Sequence, residues 1–326
     1  MDMDMSDMQS HNADIGGRRA ARRKKRRRAR YLARKHWQLY LLLAVPVALL
    51  ITFKYVPIYG VQIAFRDYSP AKGFSGSDWV GLKHFINFFS SHQFGRLLSN
   101  TLTIGFFTLL ANIPAPIVLA LAINECRWRI FGKTVQMVTY APYFISTVVV
   151  TSMIMQFLAM RGGMLNGFRD MLGLPAVNLM ADPSAFPAIY VISDLWQRTG
   201  YGAVIYLAAL ASVSPDLYEA ARIDGATIFQ KIRYIDLPSL MPMATMLLIM
   251  NCGSVINVGY EKVYLLQNQL NIERADVINT YVYRMGITSA QYSYSAAIGL
   301  FNSVVSILLV VAANQIAKKA SETSLF

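Results

Sequence analysis

The sequence predicts an all-α, polytopic integral membrane protein with six transmembrane helices and both termini cytoplasmic. Of its 326 residues, 55% are hydrophobic and only 15% charged, where a soluble globular domain carries about 25% charged residues. Six apolar runs, at 38–59, 101–123, 135–158, 186–212, 239–260 and 293–316, are long enough to supply the ~20 helical residues that cross a bilayer. Basic residues are unevenly spread between them. Segments 124–133, 213–238 and 317–326 hold 8 Lys and Arg in 46 residues, while 60–100, 159–185 and 261–292 hold 9 in 100. The positive-inside bias therefore assigns the first set, and both termini, to the cytoplasm.

The elements follow in order. Residues 1–37 read as a disordered basic cytoplasmic tail, because the first 17 show no apolar periodicity and 12 of the 31 Lys and Arg residues lie between Arg18 and Lys35. Beside a span, that tract reads as an orientation signal contacting anionic membrane lipids, at ~1 kcal/mol per basic residue near the surface, rather than as a nucleic-acid-binding arm. The first run has no small-residue cleavage pattern after it, so it is an uncleaved anchor and not a secretory signal. Residues 38–320 form the membrane domain and 321–326 a C-terminal tail. Helices are required, since in lipid the backbone polar groups must be satisfied within each segment and no barrel-type alternation occurs. Four runs contain no Asp, Glu, Lys or Arg; the others hold Lys54 and the pair Asp194 and Arg198. Outside, 84–99 sets Phe85, Phe88, Phe89 and Leu97 near one helical face, which predicts a short helix lying in the interface. Segment 159–185, rich in Gly and Pro, predicts a loop with about one helical turn.

Several chemistries are excluded. Cys126 and Cys252 stand alone and His11, His36, His84 and His92 are scattered, so neither a disulfide framework nor a metal site is expected. Gly132-Lys133-Thr134 has the ending of a phosphate-binding loop, but the glycine needed five residues earlier is replaced by Arg127, and no strand precedes it. No residue is assigned a catalytic role.

The most informative segment is the cytoplasmic loop 213–238. Ser214, Pro215 and Asp216 have the chemistry of a helix start. Gly225 ends that helix as a left-handed cap, and Thr227 opens a second that is expected to stop before Pro238. Leu217, Ala220, Ala221, Ile228 and Phe229 leave an apolar surface that no bilayer covers, which implies a protein partner.

The spacing Glu219-Ala220-Ala221, three residues, Gly225, nine residues, Ile235, one residue, Leu237-Pro238 resembles the "EAA" loop of binding-protein-dependent ABC importer permeases. Asp224 and Ala226 around Gly225 resemble the carbohydrate branch. Val80-Gly81-Leu82, Asn100-Thr101, Gly163 to Asn166 and Ala296 to Gly299 extend the likeness over residues 38–320. The resemblance implies that the loop helix docks in a cleft of a cytoplasmic ATPase subunit. Ala220, Ala221 and Gly225 would permit close approach, Glu219 and Asp224 would anchor it, and Leu237 and Pro238 would join it stiffly to the fifth span. It further implies a second permease subunit, two ATPase subunits that bind ATP and Mg, an extracytoplasmic solute-binding protein, alternating access, and no cofactor in this chain. Thr280 to Arg284 followed by Gly286, and the ending Ala313 to Lys319, are similar to permeases for polysaccharide oligomers, alginate-type importers among them; a disaccharide importer could share them.

Two readings stand for the polar residues within the spans. Asp194 and Arg198, with Trp196 beside them, form either a transport site or an i,i+4 pair that holds the bundle. Asn251 and Ser254 lie three apart on one predicted helical face, with Asn257 and Tyr260 nearby and Asn302 as counterpart in the sixth span. Such residues either contact a sugar or hydrogen-bond between helices. Two rivals are a membrane scaffold or lipid-binding protein recruiting partners through its basic head, and a permease for a non-sugar solute.

Overall fold

The computed structural model describes residues 35–321. The expectations for the rest of the basic tract and for 322–326 lie outside those residues. The chain divides at Gln62 and Ile63 into two units. The described part of the first is helical from Trp37: α1 (Trp37–Leu50) runs into a π turn over Ile51–Tyr55, and neither segment has a buried residue. Apolar all round except for Gln38 and Lys54 near its two ends, this segment has the character of a lipid-facing helix.

The second unit opens with a short antiparallel pair, β1 (Arg66–Asp67) and β2 (Asp78–Trp79). Two helices follow, α2 (Lys83–Phe89) and α3 (His92–Asn112). The expected single interface helix over 84–99 is thus two helices. Ser91 breaks it, its hydroxyl capping α3 by accepting from the Gln93 N–H at 3.2 Å. Phe88 and Leu97 are buried in a core with Ile256, Ile278 and Ile298 rather than facing lipid.

The second run also bends. Pro114 opens α4 (Pro114–Asn124) immediately after α3, because proline removes an N–H and clashes with the carbonyl four residues back. The third run is an elbow. α5 (Arg129–Tyr140), continued to Phe144, and α6 (Thr147–Phe157) meet at 103°, where Ser146 caps α6 through the Val149 N–H at 3.4 Å. Segment 159–185 contains α7 (Met164–Met171).

The central helix is α8 (Phe186–Leu210), against which α3, α4, α5 and the fifth-run helix pack. Ala203, Tyr206 and Leu210 form one core with Ala120, Leu240 and Ala244. Loop 213–238 supplies α9 (Pro215–Ile223) and α10 (Ile228–Lys231). Contrary to expectation, Pro238 does not end the second helix. A π turn over Ile232–Asp236, closed by the Leu237 N–H on the Ile232 carbonyl, leads directly into α11 (Leu237–Cys252). Proline falls in the first turn after the wider loop, where its missing N–H costs little. α11 stops at Cys252, so residues 253–259 are not the helical end of a span. Gly105 on α3 lets this irregular segment approach: a Cβ there would collide with the Val255 carbonyl.

Segment 260–291 folds as α12 (Tyr260–Leu266), α13 (Ile272–Ala275), α14 (Ile278–Tyr283) and a π turn, before α15 (Tyr292–Ser321). It is tied to α3 by Asn100, whose amide donates to the carbonyls of Glu273 at 2.9 Å and Asp276 at 3.0 Å, and by Thr101, whose hydroxyl accepts from the Ile278 N–H at 3.0 Å. Buried Asp276 is paired with Arg284 at 2.5 Å. Among the described residues, four helical stretches are long and apolar enough to cross a membrane (Trp37–Phe65, His92–Asn124, Ile228–Cys252 and Tyr292–Lys319), and the elbow makes a fifth if it is one span. The 25-residue α8, with its buried acid, is not among them.

Candidate functional site

In loop 213–238, α9 begins with the Ser214 hydroxyl accepting from the Asp216 N–H at 3.3 Å. It ends in a two-bond reversal: the Gly225 N–H reaches the Arg222 carbonyl at 3.2 Å and the Ala226 N–H the Ala221 carbonyl at 2.9 Å. Gly225 has φ +72°, the left-handed geometry this cap requires. Thr227 and Gln230 form a reciprocal capping box on α10.

The unit is tied from below. The Tyr218 hydroxyl donates to Asp236 Oδ1 at 2.6 Å, and Lys231 pairs with Glu125 at 2.7 Å while lying over the Tyr218 ring. Burial, reinforced by the hydrogen bond to Asp236, pushes the Tyr218 phenol well above its ordinary range, so it stays a donor. Glu219, Ala220, Asp224 and Gly225 are exposed and Ala221 half-buried, while Ile235, Leu237 and Pro238 lie at or just after the π turn. Outward stand Ile223 and Phe229, 86% and 84% exposed, with Leu217 and Ile228 beside them. Ile223 joins the apolar surface read from the sequence, and Ala221 partly leaves it.

A second cluster surrounds Asp194, which is 3% exposed on α8. Its Oδ1 accepts from Arg198 Nε at 3.0 Å and its Oδ2 from Asn112 Nδ2 at 2.8 Å. Lys262 on α12 lies 3.8 Å from Oδ1, donates to Gln197 at 3.5 Å and caps the face of Tyr190. Burial lowers the Lys262 ammonium to about 8, against the opposing pull of Asp194. Two cavities of about 330 and 620 Å³ adjoin here, and both include Tyr143, Tyr190, Asp194 and Arg198 in their walls.

Of the residues read from the sequence, Asn251, Ser254 and Asn257 line the smaller cavity with Asp194 and Arg198, and Tyr260 lines the larger. Ser254 does so from the irregular segment after α11, not from a shared helical face with Asn251. Trp196 lines neither cavity. Asn302 is buried in a hydrogen-bonded group, donating to Asn257 at 2.8 Å and Asn279 at 2.9 Å, so the interhelical reading describes its contacts. Lys262, Asn112 and the stacked rings of Tyr143 and Tyr201, 3.9 Å apart, were not singled out from the sequence. The signal for Lys262 was a lone cation two residues past an apolar run.

Apolar helices around polar, partly charged cavities, with a capped helix pair on one face, define a membrane transport component. The chain belongs to the family of binding-protein-dependent transport system inner membrane components, whose sequence model matches residues 93–322. It is 43% identical to protein LplB of Bacillus subtilis over 90% of this chain and 92% of that protein. It is 41% identical to the polygalacturonan/rhamnogalacturonan transport system permease protein YteP of the same organism, over 88% and 90%. Among solved structures it resembles a bacterial ABC transporter involved in import of the acidic polysaccharide alginate, with 38% identity, a TM-score of 0.81, and coverage of 89% of this chain and 98% of that one. It also matches a bacterial alginate ABC transporter in complex with an alginate pentasaccharide-bound periplasmic protein, at 37% identity and TM-score 0.82 over 90% and 98%.

Proposed function

We propose that this chain is a six-span permease subunit of an ABC importer, with both termini cytoplasmic, that moves acidic oligosaccharides of the alginate or pectin type across a bacterial plasma membrane by alternating access. The coarser reading, a permease subunit of an oligosaccharide importer with ATP hydrolysis in separate subunits, is carried by its family and by its likeness to a polygalacturonan/rhamnogalacturonan permease and an alginate transporter. The chain would work with a second permease, two ATPase subunits holding ATP and Mg, and an extracytoplasmic solute-binding protein. Residues 38–320 form its membrane domain, with α8 counted as the fourth span and 213–238 as the coupling loop.

The observation that carries the coupling role is the capped α9 and α10 pair presenting Ile223 and Phe229 to the exterior while Tyr218 and Asp236 bind it to the base of α11. Glu219, Ala220, Ala221, Asp224 and Gly225 form the docking element, and Ile235, Leu237 and Pro238 its junction to the span. Asp194, Arg198, Asn251, Ser254, Asn257 and Tyr260 line the substrate pathway. Purifying the tagged chain from native membranes tests the assembly. Recovery of an ATPase and a second six-span protein, with hydrolysis that rises on adding a sugar-loaded binding protein, is expected; recovery of the chain alone would overturn it.

A further inference from the structure

We infer that Arg198 and Lys262 form a carboxylate-reading subsite on the translocation path, with Asp194 as its positioning residue; this rests on the acidic-oligosaccharide reading above. Asp194 is one buried carboxylate facing two cations. Arg198 spends only Nε on it, and its two terminal nitrogens hydrogen-bond to no other described residue. A guanidinium held by Nε keeps a forked pair of donors free, the geometry that grips a carboxylate in bidentate fashion.

The fork is also accessible. The Arg198 side chain is 63% exposed although its partner is 5% exposed, and it borders both cavities. Lys262, 5% exposed in its side chain, adds a second positive charge on the wall of the larger one. Asp194 neutralises only one of the two, and a buried, uncompensated ammonium is costly unless an anion arrives. Glu261 also lines the larger cavity but makes no ion pair with either cation among the described residues. The stacked Tyr143 and Tyr201 in the smaller cavity offer a flat face for the pyranose ring that carries the carboxylate. A neutral sugar would use the rings and the amides of Asn251 and Asn257, but it would leave this surplus charge unanswered.

The test is isothermal titration of the purified, assembled transporter without its binding protein, so that the binding protein's own preference does not enter. The probes are a uronate pentasaccharide and the same oligomer with its carboxylates reduced to alcohols. Wild type is expected to favour the uronate. Arg198→Lys keeps the pair with Asp194 but loses the fork, and should weaken uronate binding about tenfold while leaving the reduced oligomer within twofold. Lys262→Gln should act in the same direction and flatten the pH dependence of uronate binding between pH 7 and 9. Equal losses for both probes, or unchanged selectivity in both variants, would overturn the subsite. So would failure of both variants to assemble, which would assign the cluster to bundle architecture. Wild type that binds both probes equally would remove the subsite alone, and uptake of either oligomer in proteoliposomes supplied with binding protein tests the oligosaccharide reading separately.

Discussion

Tyr218 in the first turn of the loop helix and Asp236 at the end of the π turn are joined by a 2.6 Å hydrogen bond across 18 residues of chain. Asp236 is fully buried and its second oxygen has no partner among the described residues, so the phenol is the group that satisfies its carboxylate. The bond fixes α9 to the foot of α11. Tyr218→Phe should therefore destabilise this junction by about 1–3 kcal/mol, the cost of orphaning a buried acceptor. In reconstituted transporter the expected outcome is a lower stimulated ATPase rate with basal hydrolysis retained. An unchanged stimulated rate would remove the bond from the coupling route.

Gly225 occupies φ +72°, where a side chain costs about 1–2 kcal/mol. A Cβ there meets open space, so the penalty is backbone strain and not a clash within the chain. Gly225→Asp should leave the protein inserted in the membrane, shown by normal yield and a single gel-filtration peak, while abolishing transport-coupled ATP hydrolysis. Normal stimulated hydrolysis would contradict the docking assignment.

Asn302 and Asn251 should separate cleanly. Asn302→Leu breaks the bonds to Asn257 and Asn279 and should lower the thermal midpoint of the detergent-solubilised subunit, each interhelical bond being worth about 0.6 kcal/mol and at most about 1.7. Asn251→Ala, whose side chain is exposed on the cavity, should leave that midpoint unchanged and raise the KM for transport. The reverse pattern would exchange their roles.

Uronate uptake should fall as pH rises from 7 to 9. Burial holds the Lys262 ammonium at about 8, so the charged form present below that value is lost above it, while an ordinary lysine would stay charged to about 10. The facing groups are Asp194, Arg198, Gln197, Tyr190 and Glu261. Uptake of a reduced, neutral oligomer should show no such decline. A flat uronate profile would mean that Lys262 does not act on the substrate's charge.

Loop 213–238 was legible in the sequence because its determinants are local. Ser214, Gly225 and Thr227 act on neighbours within four residues, and the structure has all three caps. Helix interruptions within apolar runs were harder to read. Pro114 was visible, but whether a proline bends a helix, ends it or sits in a first turn depends on what packs beside it, and at Pro238 the π turn decided the matter. Lys262 lay furthest from view, since its contacts are Asp194 and Gln197, more than 60 residues away in the chain. Conversely, Asn100-Thr101 and Arg284, noted only as points of likeness, have a mechanical explanation: Asn100 and Thr101 hold Asp276 and Ile278 on α3, and Arg284 pairs the Asp276 carboxylate.

The π turn at Ile232–Asp236 has a consequence for how far chain length is constrained. Because α10, that turn and α11 are one continuous 25-residue helix, Ile228 and Asn251 stand near opposite ends of a rod of about 37 Å at 1.5 Å per residue. A rod carries twist as well as thrust. The wider turn absorbs one extra residue, so removing it would leave Ile228 and Phe229 at nearly the same bearing relative to Asn251, whereas the same residue added to regular α-helix would swing them by about 100°. The π turn thus lets this rod carry an extra residue while Ile228 and Phe229 keep their angular setting to the cavity wall.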